Sequence, residues 1–237
     1  MRVSIACGAL LASCAAVARP LPVIDAEHHA VVHLSSDCSG AHVGARWVLT
    51  AAHCVVELER APTVYVAGRA HAAGGCFVHP SAYDTASCEE RPARAETPAH
   101  DLALLRLAQP VTEVEPLPIE LRPRPSDEWW LRRPVRLVGW SRAEGREPVA
   151  RFTGWNRVSA VFEGRLLTRS VPELRPGFEA RGGDSGGPAL LRVSGRERIV
   201  GVLSSTAFAP RDRRYSVHAA TFAPATARWI RETLRRE

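Results

Sequence analysis

Three short stretches hold residue types suited to nucleophilic acyl transfer. Thr50-Ala51-Ala52-His53-Cys54 ends an apolar run, Asp101 opens the run Leu102 to Leu107, and Gly183-Asp184-Ser185-Gly186-Gly187-Pro188 is a glycine-rich turn. A serine hydroxyl is a weak nucleophile at neutral pH and needs a base within hydrogen-bond reach. His53 can take that proton near its unperturbed pKa, while a buried Asp101 fixes the tautomer and stabilises the imidazolium. Gly183 tolerates positive φ and lets backbone come close to a substrate. Its N–H and that of Ser185 can therefore point at one developing oxyanion.

Groups so far apart in the chain need rigid elements to bring them together. Runs rich in β-branched and aromatic residues recur at Ala30 to Leu34, Trp47 to Thr50, Thr63 to Ala67, Leu102 to Leu107, Val135 to Trp140, Val158 to Phe162, Ala189 to Val193 and Ile199 to Ser204. Gly, Pro, Ser and charged clusters separate them. Many short strands with frequent turns predict an antiparallel barrel or sandwich and exclude a parallel sheet with crossover helices. Pro110, Pro116, Pro118, Pro123 and Pro125 punctuate one stretch, the natural linker between two halves. One helix is expected, at the C-terminus: Pro224 suits its first turn, and Thr226, Trp229, Ile230, Thr233 and Leu234 form a stripe at helical spacing.

The 237 residues are 46% hydrophobic and 24% charged, which suits one compact unit or two small ones and excludes a disordered or collagen-like chain. Net charge is +6, all of the Lys+Arg total being Arg. The arginines are spread along the chain among glutamates, so a mixed-charge surface is expected and a nucleic-acid partner is not. His28, His29 and His33 lie close together, but no acidic or thiol ligand completes a metal site at a suitable spacing. Neither a metal nor a cofactor is expected.

Arg2 precedes an apolar stretch ending in Ala16-Val17-Ala18, a small-x-small pattern. Residues 1–18 thus read as a secretory signal peptide, too short to remain as a membrane span. Leu11-Ala12-Ser13-Cys14 also matches a bacterial lipoprotein box. The expected destinations are the periplasm or the exterior, either free or anchored through Cys14. Cys38, Cys54, Cys76 and Cys88 remain for the mature chain, and an even number in an exported protein favours two disulfides. Proximity pairs Cys38 with Cys54 and Cys76 with Cys88.

Together these motifs resemble the trypsin-like and chymotrypsin-like serine proteases, as a secreted member of bacterial type. Thr50 to Cys54 and Gly183 to Pro188 are similar to that family's His and Ser signatures without a mismatch, and His100-Asp101-Leu102-Ala103-Leu104-Leu105 resembles its Asp signature. Cys38 stands sixteen residues before Cys54, as in the family's disulfide around its histidine. His79-Pro80, Gly139-Trp140 and Trp229-Ile230 match as well, so the resemblance runs from about residue 23 to 237. It implies an all-β fold of two antiparallel six-stranded β-barrels with a C-terminal α-helix. Residues 19–120 would form the first barrel, carrying His53 and Asp101, and residues 121–237 the second, carrying Ser185. Gly183-x-Ser185-x-Gly187 also fits the nucleophile elbow of α/β-hydrolases, but that fold runs serine, acid, histidine, and this chain runs His, Asp, Ser.

The resemblance further implies a secreted endopeptidase that is monomeric, acts on protein or peptide substrates and is open to a protein inhibitor. Six residues before the nucleophile, Glu179 falls at the floor of the specificity pocket, where an acidic group would favour substrate Arg or Lys. Ser204 corresponds to the polar residue leading the substrate-pairing strand, and Thr206 replaces a usual glycine and would narrow the entrance. Asp184 corresponds to the acid that receives a new N-terminal ammonium. Here Val23-Ile24-Asp25-Ala26 follows Pro22 in place of a basic residue, so Asp184 is expected to be held by a trimmed N-terminus near Val23 or by an internal Arg. The alternative function is a catalytically inactive homologue that serves as a protein-binding module.

Overall fold

Each of the eight expected strand segments is a strand in the computed structural model, which describes residues 23–56, 58, 60–83, 88, 99–143, 146–210 and 213–236. The leader expected over 1–18, with Cys14, lies outside the described residues. The strands are β1 (Val23–Ile24), β2 (Val31–Leu34), β3 (Cys38–Gly44), β4 (Trp47–Thr50), β5 (Val64–Val66), β6 (Arg69–His71), β7 (Ala73–Val78), β8 (Ala103–Leu107), β9 (Pro134–Ala143), β10 (Arg146–Phe162), β11 (Arg165–Arg169), β12 (Pro188–Val193), β13 (Arg196–Ala209) and β14 (Arg213–Ala220). The helix α1 spans Pro224–Leu234, with Pro in its first turn and Thr226, Ala227, Ile230 and Thr233 buried.

All ladders between these strands are antiparallel, and they form two sheets. The C-terminal sheet closes: β9, β10, β11, β14, β13 and β12 make a ring of six, with β1 added along β10. The expected all-β, two-barrel fold with a C-terminal helix is borne out, and the N-terminal sheet runs β6-β5-β2-β3-β4-β8-β7 as a half-barrel that no ladder closes. The physical reason lies in the connection. A single residue, Ala72, separates β6 from β7, so the chain itself joins the two edges where a ladder would otherwise close them. The architecture is that of a chymotrypsin-like fold, with one half-barrel, one barrel and a terminal helix.

Burial of alternating apolar side chains holds each sheet together. Leu34, Leu49, Leu102, Leu104, Leu105 and Leu107 are almost wholly buried in the first core. Val138, Leu190, Ile199, Val202 and Ala219 of the closed barrel pack into the same cluster, so the two sheets share apolar contact. Trp130 and Phe222 stack at 3.7 Å between ring centroids in the second core. Between the sheets, residues 108–126 carry no strand of their own, as the prolines predict. They are held by backbone bonds that include Leu117 N to His42 O (2.9 Å) and a bridge to Ile199 made by Glu120 N to Ile199 O and Ile199 N to Pro118 O (both 2.9 Å). Both disulfides pair as expected: Cys38–Cys54 and Cys76–Cys88, with Cα separations of 6.0 and 5.8 Å.

Candidate active site

Strand β4 ends at Thr50, and a short 3-10 turn over Ala52–Cys54 lifts His53 out of the sheet. The turn is fixed from both sides. Cys54 is bonded to Cys38 at the start of β3, and the His53 N–H donates to Asp101 Oδ1 at 2.9 Å. The His53 ring meets the same carboxylate, Nδ1 to Oδ2 at 2.6 Å. Asp101 is fully buried and stands two residues before the start of the apolar strand β8. Its Oδ2 accepts a third bond, from Ser204 Oγ at 2.6 Å. Three hydrogen bonds converge on this one buried carboxylate, and they orient the imidazole with Nδ1 toward Asp101. Burial draws the His53 pKa down, but the hydrogen bond and charge of Asp101 outweigh it and leave the pKa above the ordinary 6.5.

Ser185 sits in the turn before β12. Its carbonyl accepts from Ser39 N at 2.7 Å, one residue from the Cys38–Cys54 bridge. The glycine-rich turn therefore docks beside the His53 turn. Ser185 Oγ makes no hydrogen bond among the described residues, to His53 or otherwise. Gly183 has φ +97°, and a Cβ there would stand 2.5 Å from Trp140 O, so this position requires glycine on two grounds. Within the turn the bonds run Asp184 N to Arg181 O, Gly186 N to Leu203 O and Gly187 N to Asp184 O. The N–H groups of Gly183 and Ser185 have no partner among the described residues, which suits a pair of donors aimed at an oxyanion.

Ser39 was not among the residues the sequence singled out, yet it joins the two sheets here. It is fully buried. Its Oγ donates to Gly183 O at 2.8 Å and accepts from Trp140 N at 2.7 Å, while its own carbonyl accepts from Thr50 Oγ1 at 2.7 Å. The only hint in the sequence is a small polar residue between Cys38 and Gly40. Trp140 adds a further tie, Nε1 to Val31 O at 2.9 Å.

The other expected positions are less closely joined. Glu179 is half-buried. The nearby Ala180 carbonyl accepts from Arg214 Nη2 at 2.7 Å, bringing a cation to this loop. A cavity of about 400 Å³ beside Gly183 is lined by His33, Asp37, Trp140, Ser141, Val149 and Gly182, and neither Glu179, Ser204 nor Thr206 reaches it. The Ser204 hydroxyl is committed to Asp101, and Thr206 lies opposite Ser216 in the β13–β14 ladder.

Asp184 is buried with Oδ2 accepting from Arg181 N at 2.8 Å, while Oδ1 has no partner among the described residues. Burial raises its pKa to about 6. The charges of Arg181 and Arg214 act on it against the effect of burial, and Val23 and Ile24 are engaged in the ladder to Thr153 and Phe152. The segment after β1 is held by a separate charge network that the sequence did not reveal. Asp25 Oδ2 accepts from Arg151 Nε at 2.6 Å, and the ring of His28 bridges Asp25 (2.8 Å) and Glu197 (3.0 Å). Burial opposes charge on His28, but these two carboxylates outweigh it and lift its pKa to about 9. His28, His29 and His33 thus form no shared site, because His28 is taken up by carboxylates.

A sequence profile of the Trypsin family matches residues 21–230. The chain is also 26% identical over 193 residues to the CLIP domain-containing serine protease B15 of Anopheles gambiae, covering 70% of this chain and 53% of that protein. It therefore spans about half the length of the curated relative it matches.

Proposed function

Because the chain belongs to the trypsin family, we propose that it is a serine endopeptidase acting through Ser185, His53 and Asp101. The observation that carries this reading is the hold of Asp101 on His53, which grips both ring and backbone of the residue while Ser204 caps the same carboxylate. In the proposed mechanism Ser185 Oγ attacks the scissile carbonyl as its proton passes to His53 Nε2. The tetrahedral oxyanion is met by the N–H groups of Gly183 and Ser185. His53 then protonates the departing amine, and a water activated by the same imidazole releases the acyl group. Asp101 orients the imidazole and stabilises the imidazolium. No cofactor enters the scheme.

Substrates in this reading are proteins or peptides, with Glu179 directing a preference for Arg or Lys. Arg214 at the Ala180 carbonyl works against that preference, so a peptide-library profile decides the matter: no enrichment of Arg or Lys before the cut removes Glu179 from the role. Export as a signal-peptide-bearing or Cys14-anchored protein agrees with the two disulfides. Among the described residues no helix is long and apolar enough to cross a membrane. For Asp184, a freed N-terminal ammonium would supply the missing partner of Oδ1. N-terminal sequencing of active protein tests this, and a start far upstream of Val23 rejects it.

A second reading, an inactive homologue that binds a protein partner, is favoured by Ser185 Oγ lacking a hydrogen bond to His53. Hydrolysis of an unfolded protein substrate separates the two. The peptidase reading expects cleavage that Ser185→Ala abolishes. Folded, processed protein that never cleaves favours the binding module.

A further inference from the structure

We propose that a cleft on the closed barrel, between the Arg132 turn and strands β10, β11 and β14, is a docking site for an acidic peptide segment interspersed with apolar side chains. This goes beyond peptide hydrolysis and does not depend on it. The cleft encloses about 760 Å³ and is lined by Arg132, Arg157, Arg169 and Arg213, against Glu173 as the one acidic residue among the described lining.

The arrangement of these arginines is costly without a ligand. Arg157 and Arg169 stand directly opposite each other in the β10–β11 ladder, and like charges so placed repel. None of the four makes an ion pair among the described residues. Two are instead oriented by backbone carbonyls: Arg157 Nη1 donates to Arg132 O at 2.9 Å, and Arg213 Nε to Pro210 O at 3.3 Å. These bonds aim the guanidinium groups and, being to neutral carbonyls, do not offset their charge. A guanidinium is matched by a planar carboxylate, which it can grip through two parallel hydrogen bonds.

The shape of the cleft narrows the choice of ligand. A lone inorganic anion would occupy only a small part of this volume. Between the arginines the lining mixes Leu131, Val158, Val171 and Pro172 with Ser159 and Tyr215, so apolar side chains of a ligand find partners between the charges. A peptide with carboxylates spaced by aliphatic residues satisfies both the rim and the floor. The β10 bulge between Val158 and Ala160 also releases Ser159 from the ladder, at the cleft wall.

The test uses the full chain as its Ser185→Ala variant, so that the probe is not cut. A fluorescein-labelled peptide alternating glutamate and leucine is titrated by fluorescence anisotropy, with a lysine-for-glutamate peptide as control and heparin as competitor. Saturable binding that weakens with salt is expected for the glutamate peptide alone. Arg169→Glu should weaken it roughly tenfold or more, while the melting temperature holds or rises because the cross-strand pair becomes one of opposite charge. Should that variant melt lower, Arg213→Gln is read in its place, with a several-fold loss expected. Absence of saturable binding, equal binding of the lysine peptide, unchanged affinity in the arginine variants, or tighter binding of heparin through the same arginines would each overturn the proposal.

Discussion

Replacing Ser39 by alanine removes one hydroxyl and breaks two ties between the sheets. Its Oγ accepts from Trp140 N–H at 2.7 Å and donates to Gly183 O at 2.8 Å, and Ser39 itself is completely shielded from water. Alanine fits the space but leaves both backbone groups without a partner. An unsatisfied buried polar group costs about 1–3 kcal/mol, so the pair should cost roughly 2–6 kcal/mol of stability. For a chain of this size that corresponds to a melting temperature lower by roughly 4–24 °C. The second effect is local to the proposed chemistry. Gly183 loses the anchor on its carbonyl side while its N–H serves as an oxyanion donor, and a misplaced donor of this kind lowers kcat by about tenfold to a hundredfold. KM should move little, because the interaction matters mainly in the transition state. Differential scanning calorimetry and steady-state kinetics read the two effects independently. A melting temperature and kcat both equal to wild type would refute the assignment of Ser39 as the residue that positions the Gly183 turn.

Ser204→Ala should lower kcat about tenfold and move the acid limb of kcat/KM to higher pH, since Asp101 then spends all its charge on His53; a pH-rate profile checks both. In the wild type that limb should have its midpoint above 6.5, the direction in which Asp101 moves His53, and a flat profile through neutral pH would contradict the base role. His28, with a folded pKa of about 9 against 6.5 unfolded, contributes stability that is full below pH 6.5 and lost as pH rises through 9. The amount is about 3 kcal/mol, visible in urea unfolding at acidic and alkaline pH and absent in His28→Gln. His79 behaves in the opposite sense. Burial and the neighbouring His100 lower its pKa to about 4, so the fold should lose stability as pH falls from 6.5 toward 4, and His79→Phe should flatten that slope.

The residues proposed to carry chemistry were legible because each sits in a short contiguous motif whose backbone demands are local. Gly183 is needed for its own φ, and Asp101 for its place at the mouth of an apolar strand. The strands that escaped the sequence are those whose burial comes from packing and not from composition. Strand β3 reads Cys-Ser-Gly-Ala-His-Val-Gly, yet most of it is buried, because Ser39 faces the second sheet and His42 is wholly shielded near His71 and Glu113 of the first half. Strand β10 begins at Arg146, far ahead of the expected Val158, since Arg151 is neutralised by Asp25 and Gly154 lies against the backbone of Gly177. Both contacts link residues remote in the chain, which no local pattern records. The open edge of the first sheet and the network of Asp25, His28, Arg151 and Glu197 were hidden for the same reason.

Fluorophosphonate labelling followed by intact mass measurement tests the central claim most directly, because the reagent phosphonylates a serine only when an adjacent base has made it nucleophilic. The expected result is one adduct on Ser185, absent in Ser185→Ala and strongly slowed in His53→Ala. Folded, processed protein that stays unlabelled, or labelling that persists without Ser185, would contradict the assignment of this serine and histidine to acyl transfer.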